Sequence, residues 1–132
     1  MKKVSIGIAG CGSIANALYL PGIKRIPRAQ AVALCDVVPQ RVEETKARYG
    51  IERGYTSVGD MLSDVEIDLL LNSTPIQAHY EVSLQALEAG VHVYTEKTMS
   101  TGLEEANHLI DLARGRGLIL ACAPDTMAWP YA

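Results

Sequence analysis

The sequence contains no hydrophobic run long enough to cross a membrane. The apolar stretch at positions 118–123 has six residues, whereas a transmembrane helix needs about 18 or more. Two lysines near the amino terminus, followed by apolar positions 4–9 and then Gly10-Cys11, resemble a short lipoprotein signal. Because that apolar run is also short and contains Ser5 and Gly7, we interpret it instead as a buried strand that enters a glycine loop.

Cysteine is also scarce. The three cysteines, at positions 11, 35 and 122, are odd in number and too widely spaced for a Cys-x-x-Cys pair or a zinc ribbon. We therefore expect neither a disulfide framework nor a metal site. Reduced thiols of this kind fit a cytoplasmic protein.

An excess of positive charge is missing as well. The chain has 12 lysines and arginines against 15 aspartates and glutamates, which gives a formal net charge of -3. Proteins that bind nucleic acids or acidic membranes normally present a basic surface, so neither partner is expected. The absence of low-complexity tracts, charge blocks and repeats excludes a linker and a solenoid.

The composition that remains is that of a globular domain. A chain of 132 residues corresponds to one domain, and it can bury roughly two-thirds of its unfolded surface. Hydrophobic residues make up 48% of the chain and charged residues 20%. Disordered chains are poorer in apolar residues and more strongly charged, so we expect a folded core.

Strand-like apolar segments alternate with helical segments along the chain. The predicted strands cover positions 4–9, 31–35, 53–56, 68–73, 91–95 and 118–122. The predicted helices cover positions 13–26, 39–49, 57–62, 76–89 and 101–114. This alternation predicts parallel strands joined by right-handed crossovers. The expected fold class is therefore α/β, with a doubly wound, mostly parallel sheet and helices on both faces.

Apolar stripes predict which side of three of these helices is buried. In the helix at 76–89 the residues that share a stripe are Val82, Ala86 and Ala89. In the first helix the residues that share a face are Ile14, Ala17 and Leu18. In the last helix the residues expected to point inward are Leu103, Ala106, Leu109 and Ile110.

The first predicted strand runs into Gly10-Cys11-Gly12-Ser13-Ile14-Ala15, which matches the pattern Gly-x-Gly-x-x-Gly/Ala of a dinucleotide-binding turn. In such a turn Gly10 permits the tight bend, Gly12 lets the backbone approach a pyrophosphate, and Ala15 lets helix and strand pack closely. Free N–H groups and the helix dipole attract the anion. We interpret this segment as the phosphate loop of a Rossmann-type fold, with Ser13 and Ile14 beside the cofactor.

An acidic residue, Asp36, ends the second predicted strand and lies 21 residues beyond Ala15. A carboxylate there can accept hydrogen bonds from the adenosine ribose hydroxyls. Its charge repels a 2′-phosphate, so we expect NAD to be preferred over NADP. Arg41 is close enough in sequence to compensate a 2′-phosphate or to stack on adenine, which leaves NADP as an alternative cofactor.

Together with later motifs, these segments resemble the glucose-fructose oxidoreductase and inositol dehydrogenase family (Gfo/Idh/MocA). The motifs that carry the resemblance, in order, are the glycine turn, Ala33-Leu34-Cys35-Asp36, Thr74-Pro75 with His79, Glu96-Lys97 and Pro124-Asp125-Thr126. They extend over essentially the whole chain. The resemblance implies a Rossmann domain that binds NAD or NADP and serves the oxidation or reduction of sugars, inositols and related polyols.

The same resemblance implies where the chemistry lies. Glu96-Lys97 is similar to the first two residues of the family's Glu-Lys-Pro motif, which reaches the nicotinamide. Lys97 is thus the expected catalytic residue, able to hydrogen-bond the reacting substrate oxygen and to stabilise charge or relay a proton. Thr98 stands where the family has proline. Because proline restricts the residue before it, this difference bears on the aim of Lys97.

The resemblance also implies that Thr74 and Pro75 form a turn beside the dinucleotide. There the threonine hydroxyl and free backbone groups can contact the ribose or the phosphates. His79 lies on the first turns of the helix that follows. It is expected either to contact the cofactor or to serve as a structural hydrogen-bonding residue.

Members of the family continue into a second, α+β domain that supplies most substrate contacts. We therefore expect residues 1–123 to form the dinucleotide-binding domain and residues 124–132 to begin the connection to a substrate domain absent from this chain. On this hypothesis the chain binds dinucleotide but has little or no turnover alone. A non-catalytic dinucleotide-binding sensor or assembly module is the alternative, and a pseudo-domain that binds nothing is a third hypothesis.

Without the substrate domain, the surface that this domain would cover is open to solvent. Large exposed apolar patches tend to find partners. We therefore expect the chain to form a homo-oligomer.

Overall fold

The computed structural model describes residues 2–123. The predicted connecting segment 124–132, with its Pro124-Asp125-Thr126 motif, lies outside the described residues. Six parallel strands form one sheet in the order β3-β2-β1-β4-β5-β6. The strands are β1 (Val4–Ala9), β2 (Ala29–Cys35), β3 (Arg53–Tyr55), β4 (Leu69–Asn72), β5 (His92–Thr95) and β6 (Leu120–Cys122).

A helical segment connects each strand to the next, as the sequence alternation predicts. The segments are a π-helical turn (Ala15–Tyr19) that continues into α1 (Leu20–Lys24), then α2 (Pro39–Tyr49), α3 (Val58–Asp64), a 3₁₀ turn (Ile76–Ala78) that leads into α4 (His79–Glu88), and α5 (Leu103–Gly115). Within residues 2–123, no helix is both long enough and apolar enough to span a bilayer.

Local sequence explains where these helices begin and end. Pro39 is the first residue of α2, a position where its missing N–H is not needed. Gly50 ends that helix in the left-handed conformation, at φ 67°. The Ser57 side chain caps α3 by accepting a hydrogen bond from the Asp60 N–H at 3.2 Å. The predicted start and stop of α2 and the predicted cap of α3 are confirmed, whereas α3 ends at Asp64, two residues beyond the predicted end at position 62.

The apolar side chains divide into two clusters, one on each face of the sheet. On one face β1 and β2 pack against α1 and α2, with a core formed by Ile6, Ile8, Leu20, Ile23, Leu34 and Val42. On the other face α3, α4 and α5 cover a core that includes Met61, Leu70, Val82, Ala86, Val93 and Leu109. The prediction of an α/β sheet with helices on both faces is confirmed.

The apolar stripe predicted for the first helix is wrong. Ile14, Ala17 and Leu18 are all exposed, Leu18 at 56% of its surface. The buried residues of this segment are instead Ala15 and, in α1, Leu20 and Ile23. The reason is that apolar residues occur on both sides of this segment, and the side with Ala15, Leu20 and Ile23 is the one that faces the sheet. A π-helical turn lies within the segment, since the Leu20 N–H bonds to the Ala15 carbonyl five residues earlier.

The stripe predicted for the last helix is wrong at its first member. Leu103 is 76% exposed because it is the first residue of α5 and follows the exposed cap Gly102. Leu109 is buried, and Ala106 and Ile110 are half-buried. The helix therefore makes its core contacts from its second turn onward.

Strand register brings the carboxyl ends of four strands to one edge of the sheet. Ala9, at the end of β1, pairs with Cys35 of β2 on one side and with Asn72 of β4 on the other. Asn72 in turn pairs with Thr95 of β5. The chain runs outward from β1 through β2 to β3 and then crosses back to β4. In sheets of this type, ligands bind at such a reversal of strand order.

Candidate functional site

The turn after β1 is held between the ends of the two neighbouring strands. The Gly10 N–H donates to the Cys35 carbonyl at 2.9 Å, and the Ser73 hydroxyl donates to the carbonyls of Ala9 and Gly10 at 3.1 and 2.9 Å. Gly10 has φ 95°, and a Cβ atom there would lie 2.5 Å from the Ser73 carbonyl oxygen. Only glycine fits this position without moving the backbone of the turn after β4.

Asn16 forms a second set of hydrogen bonds that holds this turn in place. Its amide nitrogen donates to the carbonyls of Cys11 and Gly12 at 3.1 and 3.0 Å. Arg48 of α2 donates to the Asn16 side-chain oxygen at 2.7 Å, and the Tyr49 hydroxyl donates to the Asn16 backbone carbonyl at 2.7 Å. Sequence reasoning missed Asn16. The available signal was an amide side chain one helical turn beyond Gly12.

These hydrogen bonds leave an open groove in front of the turn. The groove has a volume of about 480 Å³, and its lining includes Gly10, Gly12, Ser13, Ile14, Asp36, Arg41, Thr74 and Pro75. A Cβ atom added at Gly12 would meet no atom within 4 Å. The first N–H groups of a helix have no acceptor within that helix. The groove therefore offers hydrogen-bond donors and space for a phosphate.

Asp36 lines both this groove and a second cavity. Its Oδ2 accepts a hydrogen bond from the Cys11 N–H at 2.8 Å, and its Oδ1 accepts one from the Val38 N–H at 2.8 Å. A carboxylate oxygen has more than one lone pair, so each retains capacity to accept from a hydroxyl. Asp36 thus anchors the glycine turn while it faces both spaces.

The second cavity has a volume of about 350 Å³ and is more apolar. Its lining includes Gly10, Asp36, Val37, Arg41, Val58, Thr74, Pro75, Ala78 and Val82. Five of these residues, Gly10, Asp36, Arg41, Thr74 and Pro75, also line the groove. The two spaces therefore adjoin, as the halves of an extended ligand require.

Thr74 is oriented by a buried amide that sequence reasoning missed. The Thr74 hydroxyl and N–H both donate to Asn72 Oδ1, at 2.6 and 3.3 Å. Asn72 is fully buried, and its amide nitrogen donates to the His79 carbonyl and the Ser83 hydroxyl. Since the Thr74 hydroxyl proton is engaged, this hydroxyl presents acceptor lone pairs to the two cavities.

His79 is 1% exposed and lies behind the turn after β4. Its Nε2 is 2.7 Å from the Thr74 carbonyl oxygen, and its Nδ1 is 2.5 Å from the Thr98 carbonyl oxygen. The ring therefore joins the turn after β4 to the turn after β5. Of the two roles expected for His79, the described contacts show structural hydrogen bonding.

Glu96 and Lys97 line a third cavity, between the first helical segment and the sheet. This cavity has a volume of about 590 Å³, and its lining also includes Leu18, Tyr19, Leu71 and Tyr94. The Tyr19 hydroxyl donates a hydrogen bond to the Glu96 carboxylate. Lys97 is exposed, and the peptide bond between Lys97 and Thr98 is cis. Ala15 and His79 are buried and line none of these cavities, and the other predicted site residues are divided between the two adjoining spaces and this third one.

Cys11 lies within the glycine turn, but its thiol is not activated. Burial and the nearby Asp36 carboxylate raise the pKa of Cys11 to about 12. Burial likewise raises the pKa of Cys35 to about 12. Both thiols are protonated at neutral pH, so they act as small packing groups. Among residues 2–123, no cluster of His, Cys, Asp or Glu could hold a metal ion.

Three features of this structure define a dinucleotide-binding Rossmann domain. They are the parallel sheet in this strand order, the glycine turn that opens a helix where the order reverses, and the carboxylate that follows β2. The chain belongs to the Gfo/Idh/MocA family. The family model, described as an oxidoreductase family with an NAD-binding Rossmann fold, matches residues 4–123. The predicted family resemblance is confirmed.

Solved structures with the same fold include proteins with bound dinucleotides. The WlbA dehydrogenase of Chromobacterium violaceum, in complex with NADH and UDP-GlcNAcA, is 31% identical with a TM-score of 0.88, over 93% of this chain and 35% of that chain. A variant of KijD10, a 3-ketoreductase of Actinomadura kijaniata in complex with TDP-benzene and NADP, is 29% identical with a TM-score of 0.86, over 92% of this chain and 37% of that chain.

A curated relative is the myo-inositol 2-dehydrogenase of Thermotoga maritima. It is 28% identical over 115 residues, which are 87% of this chain and 34% of the relative. The chain thus spans about a third of the length of the relatives it matches.

Proposed function

We propose that the chain is the cofactor domain of an NAD(P)-dependent oxidoreductase that acts on a sugar, an inositol or a related polyol. The observation that supports this most directly is the pair of adjoining spaces around Gly10, Asp36 and Thr74. Their walls combine phosphate-binding N–H groups, a carboxylate for ribose hydroxyls and an apolar cavity for a base. These are the parts that an adenine dinucleotide requires.

Each part of the site has a defined task in this proposal. The N–H groups at Gly12 to Ala15 bind the pyrophosphate in the groove, and Asp36 accepts hydrogen bonds from the adenosine ribose. Val37 and Arg41 line the apolar cavity that would hold the adenine. Thr74, in the turn after β4, would present acceptor oxygens to the other half of the dinucleotide.

Asp36 is also the basis of a cofactor preference. Its carboxylate faces the position of the ribose hydroxyls, so a 2′-phosphate would meet a negative charge with both oxygens already bonded to backbone N–H groups. We therefore assign NAD as the preferred cofactor. Arg41 lines both spaces, and a guanidinium there supports weaker binding of NADP.

Lys97 has the catalytic role in this proposal. It follows β5 directly and its side chain is exposed beside the third cavity. A bound nicotinamide supplies the hydride acceptor or donor. In the reducing direction the Lys97 ammonium donates a hydrogen bond and a proton to the substrate carbonyl oxygen. In the oxidising direction the neutral amine at Nζ accepts the proton of the substrate hydroxyl.

The substrate class comes from the relatives. One structural neighbour is a dehydrogenase in complex with a UDP-sugar derivative, and one curated relative is a myo-inositol 2-dehydrogenase. Because the chain spans about a third of these proteins, we propose that substrate contacts lie in the part it does not match. On this proposal the 132-residue chain binds dinucleotide with little or no turnover.

Calorimetric titration of the chain with NAD, NADH, NADP and NADPH tests the cofactor site. We expect saturable binding that favours the two cofactors without a 2′-phosphate. Asp36→Ala is expected to weaken NAD binding about tenfold or more, since it removes charged hydrogen-bond acceptors. Asp36→Asn keeps the shape of the side chain and is expected to lose less.

The matched control is Asp111→Ala, an exposed carboxylate on α5, for which NAD affinity is expected to stay unchanged. Failure of the folded chain to bind any of the four dinucleotides contradicts the proposal. Equal losses from Asp36→Ala and Asp111→Ala contradict the assignment of Asp36.

A further inference from the structure

Tyr19 connects the helix after the glycine turn to the segment that carries Lys97. Its hydroxyl donates to the Glu96 carboxylate, and its ring packs edge-on against Tyr94 with the centroids 6.1 Å apart. The Glu96 backbone is held separately, because its N–H donates to the Asn72 carbonyl at 2.9 Å. Tyr19 thus fixes the side chain of a residue whose main chain already belongs to the sheet.

The π-helical turn determines where Tyr19 stands. Tyr19 is the last residue of this turn, which adds a residue to the hydrogen-bonded ring relative to an α-helix. The same turn leaves Ile14, Ala17 and Leu18 exposed while Tyr19 is half-buried against the sheet. Turns of this kind occur frequently at functional sites.

Side chains from two helical segments contact the residues on either side of Lys97. Tyr19 donates to the Glu96 carboxylate, and His79 contacts the Thr98 carbonyl oxygen at 2.5 Å. Lys97 lies between them, with an exposed side chain. The direction of Lys97 therefore depends on contacts to both of its neighbours.

We propose that Tyr19 is a positioning residue, whose hydroxyl holds the Glu96 carboxylate and so fixes the Glu96-Lys97 segment against the nicotinamide half of the dinucleotide. This inference rests on the proposed function. Dinucleotides cross the reversal of strand order in such sheets, so with adenine on the β2 side the nicotinamide half lies toward the ends of β4 and β5. Tyr19, Glu96 and Lys97 line one cavity on that side.

The chemistry of the contact suits this role. Burial raises the pKa of Tyr19, and the adjacent Glu96 carboxylate raises it further. The phenol therefore remains a hydrogen-bond donor throughout the physiological pH range. A neutral donor to a carboxylate holds the charge in place without cancelling it.

Tyr19→Phe tests the proposal through two ligands, NAD and ADP-ribose. ADP-ribose keeps the adenosine, the pyrophosphate and the second ribose but lacks the nicotinamide. We expect Tyr19→Phe to weaken NAD binding by about three- to tenfold, the usual range for one lost hydrogen bond. The affinity for ADP-ribose is expected to change by less than about twofold. A merely structural role would weaken both ligands alike.

Tyr49→Phe is the matched control. Its hydroxyl donates to the Asn16 carbonyl at 2.7 Å, beside the glycine turn and away from Glu96. Any loss it causes is expected to be equal for NAD and ADP-ribose. Circular dichroism of each variant establishes that it is folded before titration.

A double-mutant cycle with Glu96→Ala, which removes the acceptor of the Tyr19 hydroxyl, identifies the path of the effect. If Tyr19 acts through Glu96, Tyr19→Phe has little further effect on NAD binding once Glu96→Ala is present. Independent, additive losses overturn the proposal. So does a Tyr19→Phe variant with unchanged NAD affinity, or one with equal losses for both ligands, and in those cases wild-type binding still supports the proposed function. A folded wild-type chain that binds neither ligand overturns both.

Discussion

Cys11 and Cys35 are protonated thiols buried beside the carboxylate that the site depends on. Their pKa values rise from 9.0 to about 12, with burial as the largest cause. Between these values an unfolded chain releases the thiol proton while the folded chain keeps it. The folded state then binds more protons, so the free energy of unfolding falls as pH rises through this range.

We predict a measurable loss of stability in alkaline solution from these thiols. Their contribution is fully present below about pH 9 and is lost above it, with a slope of at most about 1.4 kcal/mol per pH unit for each thiol. Urea unfolding from about pH 8 to about pH 10.5 measures the slope. Cys11→Ala is expected to make it shallower. An unchanged slope in that variant would mean that other groups carry the effect.

At this scale the sequence predicted residues whose task follows from local position. Gly10, Gly12 and Asp36 are recognisable because the turn and the strand end lie within one short segment of the chain. Asn72 and Tyr19 were missed, because their partners are distant or depend on exact geometry. Tyr19 and Glu96 are 77 positions apart, and nothing local in the sequence connects them.

At the scale of secondary-structure elements, the turns after β1 and β4 approach each other so closely that only glycine fits at position 10. A Cβ at Gly10 would lie 2.5 and 2.6 Å from the Ser73 carbonyl oxygen and carbon, which are backbone atoms with no rotamer to change. The positive φ adds strain for any other residue. Any other residue at position 10 must push apart the ends of β1 and β4, which together border the groove.

Gly10→Ala is therefore expected to destabilise the chain by about 2 kcal/mol or more and to abolish dinucleotide binding. Gly22→Ala is the matched control, since it lies in α1 and its added Cβ meets no atom within 4 Å. This control is expected to be neutral or slightly stabilising, because alanine favours helix more than glycine does. Thermal unfolding of both variants measures the difference. Equal melting temperatures for the two would refute the steric argument.

The strands and helices were predicted well where the hydrophobic periodicity and the turn residues indicated the same boundaries. All six strands and their connecting helices occur close to the expected positions, because turn residues such as Pro39 and Gly50 mark the boundaries. The π-helical turn was not predictable, since no residue type specifies it. The buried face of the first helix was assigned incorrectly because apolar residues occur on both of its sides.

At the scale of the whole molecule, residues 2–123 present an apolar, accessible face around the third cavity. Leu18 and Ile26 are exposed beside the third cavity, at 56% and 51%, and β4 and β5 contribute Leu71 and Tyr94 to its floor. Large exposed apolar surfaces promote association. A second copy of the chain offers the same apolar surface as a partner for this face.

We expect the chain to self-associate through this face. Light scattering after size exclusion should show a mass that rises with protein concentration. Ile26→Glu is expected to shift the chain toward the monomer, because it places a charge within the contact. Leu103→Glu, at a leucine on α5 that lies outside this face and is 76% exposed, serves as the control. A monomer at every concentration would exclude self-association.

The strand order divides the molecule into two consecutive halves. Residues 4–55 supply β1, β2 and β3, and residues 58–122 supply β4, β5 and β6; within the described chain, β1 and β4 form the one strand pair that joins them. Gly10 and Asp36 come from the first half, and Thr74 and Pro75 from the second. Under the proposed function, a dinucleotide in the groove contacts both halves and links them non-covalently. By mass action, a higher dinucleotide concentration makes separation of the two halves less favourable.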